Sequence, residues 1–257
     1  MRIAGRINAE ALAAARDAIR PGATTADVNA AAEEVLKKYG VVSPFKGYPG
    51  PYPYPASTNV SINDELVHGL PGKRKIKEGD IVSVDCGNVY EGFVADSAFT
   101  IGVGEISPAA QKLLEATEEA LYIGISKLMV GNRVGDVGAA IESHVKKMGF
   151  FVPMEYTGHG VGRNLHEGPS MPNYGVQGRG MLLRAGMTIA LEPMLLEGNG
   201  ITRVLPDQWT VASSLNKLTA HFEHTVAITE KGPRILSVLA DGAPPVQIAG
   251  HFQRYTV

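Results

Sequence analysis

Residues 22–40, GATTADVNAAAEEVLKKYG, return 109 positions later as GNRVGDVGAAIESHVKKMG (131–149), with nine identities in nineteen aligned places. Such a duplication constrains the fold strongly, because whatever the first copy builds the second must build again. Each copy reads as a turn, an N-cap region and a helix ended by glycine, Gly40 or Gly149. Downstream, GDIVSVD (79–85) matches GMTIALE (186–192): a glycine, a β-rich run, and a carboxylate six residues after the glycine. FVADSAFTI and HFEHTVAI then read as strands carrying Asp96 and Glu223, and VHGLP (67–71) has a counterpart in LHEGP (165–169). The chain therefore reads as a duplicated α+β unit, with two pseudo-symmetric halves of about 1–104 and 105–240 in a single domain over 1–240. No linker-like stretch divides them. The tail 241–257 has no counterpart and is assigned no role.

The repeat also gathers acids. VSVDCGNVYEGFVADSAFT (82–100) reads as a hairpin turning near Tyr90-Glu91-Gly92, and a symmetric turn would set Asp85 directly opposite Asp96. Two carboxylates at about 4 Å repel by roughly 4 kcal/mol at an effective dielectric near 20. A shared proton or a cation would offset that repulsion. If the halves pack about a twofold axis, Glu192 and Glu223 bring a second pair to the same place. One proton cannot neutralise four carboxylates, whereas two divalent cations roughly 3.5–4 Å apart can. His159 then adds a nitrogen ligand. Taken alone, each acid reads as a hydrogen-bonded structural residue; the duplicated placement favours a dinuclear site.

The chain has one cysteine, Cys86, which alternates away from Asp85 and is not counted as a ligand. It excludes an internal disulfide and fits a reducing compartment. Hard oxygen donors with imidazole suit cobalt, manganese or iron(II), and zinc is also accommodated. A net charge of −2 gives no electrostatic reason to expect DNA or a membrane as partner, and no apolar run is long enough to span one. The N-terminal segment reads as an amphipathic helix of the fold, not a secretion signal, so a cytoplasmic location is expected.

GHGVGRNLHEGP (158–169) places His159 and His166 seven apart among glycines. The glycines weaken a helix, and an odd separation on a plain strand would send the two rings to opposite faces. A phosphate cradle would need the spacing and lysine of a P-loop, which this run lacks.

At VDCG, ADSAFT, GHGVGRNLHEGP, LEPM and FEHT, in this order, the sequence resembles the methionine aminopeptidases of the pita-bread group over about residues 1–240. The resemblance implies a curved antiparallel sheet covered by helices, and two metal ions held by five residues. In it Asp85 chelates one metal, Asp96 and Glu223 bridge both, and His159 and Glu192 complete the other. It further implies a metal-bridging hydroxide as nucleophile, His68 and His166 beside the scissile bond, and Glu192 as proton shuttle. On this reading His166 holds the substrate carbonyl or developing oxyanion, while the glycines let backbone approach the substrate. Tyr54, Asn59, Leu165 and Trp209 are implied to line the slot for the first side chain. The implied substrates are the N-termini of nascent polypeptides, with removal of the initiator methionine by a monomer in transient contact with the ribosome.

Three positions depart from the family pattern: Leu165 stands where an aromatic is common, Asn59 where cysteine is frequent, and His221 where glutamine is usual. The 31 residues between Glu192 and Glu223 leave no room for the insertion of type II enzymes. The repeat begins almost at Met1, without the separate N-terminal domain of Xaa-Pro peptidases or a Cys/His-rich zinc extension, so type I is expected. A Xaa-Pro aminopeptidase and a non-catalytic binding protein of the same fold are the alternatives. YPGPYPYP (48–55) reads as a stiff polyproline-like wall, and GKRKIKEGD (72–80) as a solvated turn rather than an RNA patch.

Overall fold

A computed structural model describes residues 1–248. The first copy runs α1 (Arg2–Ala18), α2 (Thr25–Lys38), β1 (Thr58–Ile62), β2 (Glu65–Val67), β3 (Ile81–Tyr90) and β4 (Phe93–Gly102). The second runs α3 (Pro108–Lys127), α4 (Val134–Met148), β5 (Gly158–Gly160), β6 (Glu167–Met171) and β7 (Thr188–Leu191). It continues through four short strands, β8 (Met194–Leu196), β9 (Thr202–Val204), β10 (Val211–Ser213) and β11 (Thr219–His221), to β12 (His224–Thr229) and β13 (Gly232–Ile235).

The repeated segments form α2 and α4, each entered through the same device. The Asp27 and Asp136 carboxylates accept from the backbone N–H three residues earlier, at Thr24 and Arg133. The repeat extends further than identity reveals. Gly22 N–H donates to the Ile76 carbonyl and Ile76 N–H to Ala23; Gly131 N–H donates to Leu183 and Leu183 N–H to Asn132. Thus 72–76 and 181–183 are equivalent laps over a helix start. The basic run is half of a structural pair, further tied down by an Arg74–Glu65 ion pair.

Helix α1 buries Ala4, Ile7, Asn8, Ala11, Leu12 and Ala15, a spacing that puts one stripe against the sheet. It packs on β3 and β4 and, alongside them, against α2. Alternate residues of those strands (Val82, Val84, Cys86 and Phe99) point into this core, while Asp85 and Asp96 point to the other face. Each fully buried leucine or isoleucine here contributes about 1.5–3 kcal/mol.

Two sheets carry the site. The first is ordered β1-β3-β4, and the second β13-β12-β7-β5-β6. They meet where β4 and β12 touch through the Ala98↔Glu223 bridge, with hydrogen bonds in both directions. On either side of that contact a threonine hydroxyl wedges the strands apart. The Thr225 hydroxyl bonds the Asp96 N–H and carbonyl, and the Thr100 hydroxyl bonds the His221 N–H and carbonyl. The seam is itself twofold.

The hairpin differs from expectation. Glu91 and Gly92 both have positive φ (49° and 73°), as a two-residue hairpin turn requires. That turn pairs Tyr90 with Phe93, and so Asp85 with Ala98 and Gly87 with Asp96. The two aspartates are diagonal neighbours, not direct partners. The run 48–55 is not an extended wall either. Gly47 N–H donates to the Tyr54 carbonyl and Tyr54 N–H to that of Tyr48, closing the segment into a compact loop. In the tail, Arg16 donates to the Pro245 carbonyl, and Ile248 N–H donates to Glu118. The remaining tail residues, 249–257, lie outside the described ones.

Candidate metal centre

Strand register alone puts the five candidate ligands on one face. Asn59, Asp85, Ala98 and Glu223 follow one another across the seam as direct partners. The pairs His224↔Leu191 and His221↔Met194 bracket the next step, so the same register sets Glu223 opposite Glu192. Two residues along lies a second row: Gly87, Asp96, Thr225, Ala190 and His159. Partners in a sheet share a face, and so do residues two apart. Ala98, small and central, leaves open the space that the surrounding carboxylates enter.

The side chains converge. Ligand atoms of Asp96, His159 and Glu223 all lie within 4.8 Å of one another. His159 Nε2 is 3.5 Å from Glu192 Oε1 and 4.0 Å from Asp96 Oδ2. His159 Nδ1 donates to the Gly160 carbonyl at 3.0 Å, which leaves Nε2 as a bare lone pair facing the acids. Burial, reinforced by the neighbouring acids, pushes Asp85, Glu192 and Glu223 well above the usual carboxylate range; burial also raises Asp96, to about 7, against the lowering effect of its hydrogen bond with Asp85. Burial also lowers His159 to about 4, so its ring is neutral.

This arrangement fits divalent cations. Asp85 Oδ1, Asp96 Oδ1, Glu223 Oε1 and His221 Nε2 are buried without a hydrogen-bond partner. Buried oxygens left so would each cost about 1–3 kcal/mol, and like charges beside them add to that. A cation among them offsets both costs.

The remaining predicted residues gather around the same cavity, of about 530 Å³, which opens over the acids. His68 follows β2 with φ 59° and packs edge-on to Tyr156 and Trp209. Burial lowers its pKa to about 4. His166 precedes β6, exposed on one side, with its ring 4.4 Å from that of His159. Tyr54, Asn59, Leu165 and Trp209 line one wall; Tyr54 and Trp209 stack edge to face at 5.1 Å, and the Tyr54 hydroxyl donates to the Gly69 carbonyl. Trp209 needs Gly50 beneath it, since a Cβ there would lie 2.4 Å from the indole.

Gly158 and Gly160 also have a purpose within the sheet. A Cβ on Gly158 would sit 2.6 Å from the Ala190 carbonyl oxygen, and one on Gly160 2.3 Å from that of Gly168. They let β5 lie tightly between its neighbour strands and so fix His159. Glu167, the acid after His166, accepts from the Arg163 and Asn164 N–H groups and folds the loop between the two histidines.

Sequence reasoning missed Tyr48, whose hydroxyl lies 2.8 Å from His166 Nδ1, along with Met194 and Tyr156 in the cavity wall. Met194 was readable as the residue two beyond Glu192. The Tyr48 contact joins positions 118 apart and had no local signal.

Residues 1–230 match the family described as metallopeptidase family M24. The chain is 45% identical over 239 residues to the methionine aminopeptidase of Clostridium perfringens, covering 93% of this chain and 95% of that one. The crystal structure of methionine aminopeptidase from Thermotoga maritima superposes with a TM-score of 0.90 at 47% identity, covering 92% and 94% of the two chains. The prolidase of Pyrococcus furiosus shares the fold at 24% identity and a TM-score of 0.72; this chain spans 62% of it.

Proposed function

The chain belongs to metallopeptidase family M24, and from that premise we propose how its cavity works as the site of a methionine aminopeptidase. The enzyme is a hydrolase acting on N-terminal methionine, on the pita-bread fold. The observation that carries the site reading is the convergence of Asp85, Asp96, His159, Glu192 and Glu223 on one sheet face, with buried oxygens left unpartnered. We read residues 1–240 as one catalytic unit built from both copies.

On this reading the five side chains hold two divalent ions, with cobalt, manganese, iron or zinc as candidates. When bound, such ions acidify water and polarise a carbonyl. The rest is done by the chain. The methionine side chain lies against Tyr54, Asn59, Leu165 and Trp209, which orients the scissile amide over the acids. His68, neutral because it is buried, hydrogen-bonds the amide nitrogen. The Tyr48 hydroxyl donates to His166 Nδ1, leaving the proton on Nε2 to meet the substrate carbonyl oxygen as charge develops there. Glu192 takes up a proton at the metal centre and passes it to the leaving amine.

The substrates proposed are nascent polypeptides, met in the cytoplasm by a monomer in transient contact with the ribosome. No helix among the described residues is long and apolar enough to cross a membrane.

A competition assay tests the reading. The metal-stripped enzyme, reloaded with manganese(II), is given equimolar Met-Ala-Ser and Ala-Pro-Ala. Release of methionine with the proline peptide untouched is expected. The reverse preference would keep the metal chemistry and overturn the pocket. No release of either, repeated with cobalt(II) and iron(II), would sink the enzymatic reading.

A further inference from the structure

We propose that His221 is a second imidazole ligand of the metal centre, facing His159 across the Glu192 carboxylate. The inference rests on the metallopeptidase reading of the site. Register gives the first reason. His221 pairs with Met194 and bonds through its backbone to Thr100, two residues from the Ala98↔Glu223 contact, so its side chain shares the face of the acids. It also lines the cavity.

Distance gives the second. His221 Nε2 lies 3.6 Å from Glu192 Oε2 and 3.9 Å from Glu223 Oε2. His159 Nε2 lies 3.5 Å from the other Glu192 oxygen, Oε1. The two imidazoles therefore flank one carboxylate, each addressing a different oxygen. The His221 separations are too long for hydrogen bonds, which run about 2.7–3.2 Å. They suit atoms sharing a cation: two donors each about 2.1 Å from one ion stand roughly 3.0–4.2 Å apart, from a right angle between them to opposite sides of the ion.

The third reason is the absence of another role. His221 is 2% exposed, and its Nε2 has no hydrogen-bond partner.

The test reads the histidine nitrogens directly in the full-length wild-type protein. Side-chain 1H–15N correlation spectra are recorded on the metal-free enzyme and again with zinc(II) added. The Nε2 resonances of both His159 and His221 are expected to move by tens of parts per million to their ligated positions. Movement of His159 alone overturns the inference and leaves the metallopeptidase reading standing. Movement of neither overturns both. Calorimetry of His221→Gln with manganese(II) provides a second readout: at least one binding step should weaken by about 10-fold or more, while the metal-free Tm stays near that of the wild type. Unchanged affinities at every step would also overturn the inference.

Discussion

Position 29 in the first copy of the repeat is asparagine, and its equivalent in the second, position 138, is glycine. Both lie on the helix face that meets a returning loop. The Asn29 side-chain oxygen, Oδ1, accepts from the N–H groups of Ser57 and Thr58 and from the Thr58 hydroxyl, and so ties down the segment that leads into β1. Gly138 does the opposite, since a Cβ there would meet the Tyr174 carbonyl oxygen at 2.2 Å. At this position one helix bonds its loop and the other makes room for it; elsewhere α4 also bonds its loop, through Asp136 and Glu142. The duplication preserved where backbone must go and left the means free to diverge. The proposed metal centre follows the same rule: the first copy would contribute short acids, Asp85 and Asp96, and the second longer acids and imidazoles.

If the copies contribute unequal chemistry from equivalent places, matched substitutions should separate them. The largest effect is expected for Asp85→Asn and Glu192→Gln. Each should lower kcat/KM by about 10³-fold or more, or roughly 4 kcal/mol. Asp85→Asn should lose bound metal in parallel, measured by elemental analysis, whereas Glu192→Gln should lose turnover in excess of metal. Full activity of Asp85→Asn at micromolar metal would break the assignment.

The helix pair comes next. Gly138→Ala is expected to cost about 2–3 kcal/mol in urea unfolding, because backbone must move to admit the methyl. Asn29→Ala should cost about 1–2 kcal/mol, the loss of part-buried hydrogen bonds. Equal costs of zero would mean the loops are held elsewhere.

The two cavity histidines outside the proposed ligand set, His68 and His166, form a third pair. Of these two, His166 has a hydroxyl on its ring nitrogen, from Tyr48. Tyr48→Phe should lower kcat by about 10-fold with KM nearly unchanged, as expected for a lost bond of about 1.4 kcal/mol that matters in the transition state. A rise in KM alone would place Tyr48 in the binding wall only.

The smallest effects belong to the two N-terminal caps. Backbone N–H donors hold the Asp27 and Asp136 carboxyls below the usual range: Thr24 for the first, Gly178 and Arg133 for the second. Carboxyls depressed in the folded state stabilise it at neutral pH, and this contribution is lost as pH falls through their folded pKa values. Asp27→Asn and Asp136→Asn should each lower Tm by about 2–4 °C at pH 7. The gap from wild type should close below about pH 4. A gap that persisted in acid would mean the asparagine perturbs more than a charge.

The sequence disclosed the helices, the hairpins and the face on which the acids sit, because these depend on periodicity and on a repeat visible to inspection. It did not disclose that Asp85 and Asp96 are diagonal. Register hangs on the number of residues in the turn, and one residue of ambiguity around Tyr90-Glu91-Gly92 was enough to misplace the pairing. Nor did it reveal why Gly158 and Gly160 are glycines, since the obstructing carbonyls of Ala190 and Gly168 come from other strands. The equivalence of the basic 72–76 lap with Met181-Leu182-Leu183 was hidden because backbone contacts carry it and side chains do not. His221 could be located but not interpreted, its meaning residing in distances of a few ångströms.

The two hairpins that meet at the Ala98↔Glu223 seam differ in their tolerance of length. The first closes through Glu91-Gly92 alone, so one inserted residue there would shift every pairing in β4 and turn Asp96 towards helix α1. The second opens beyond β8 and β11 into residues 197–218, where paired strands have already fixed Glu192 against Glu223. Chain can be gained or lost in that outgrowth, which also carries Trp209, without moving an acid. The proposed substrate wall can thus change length at a place where the acids beneath it need not move.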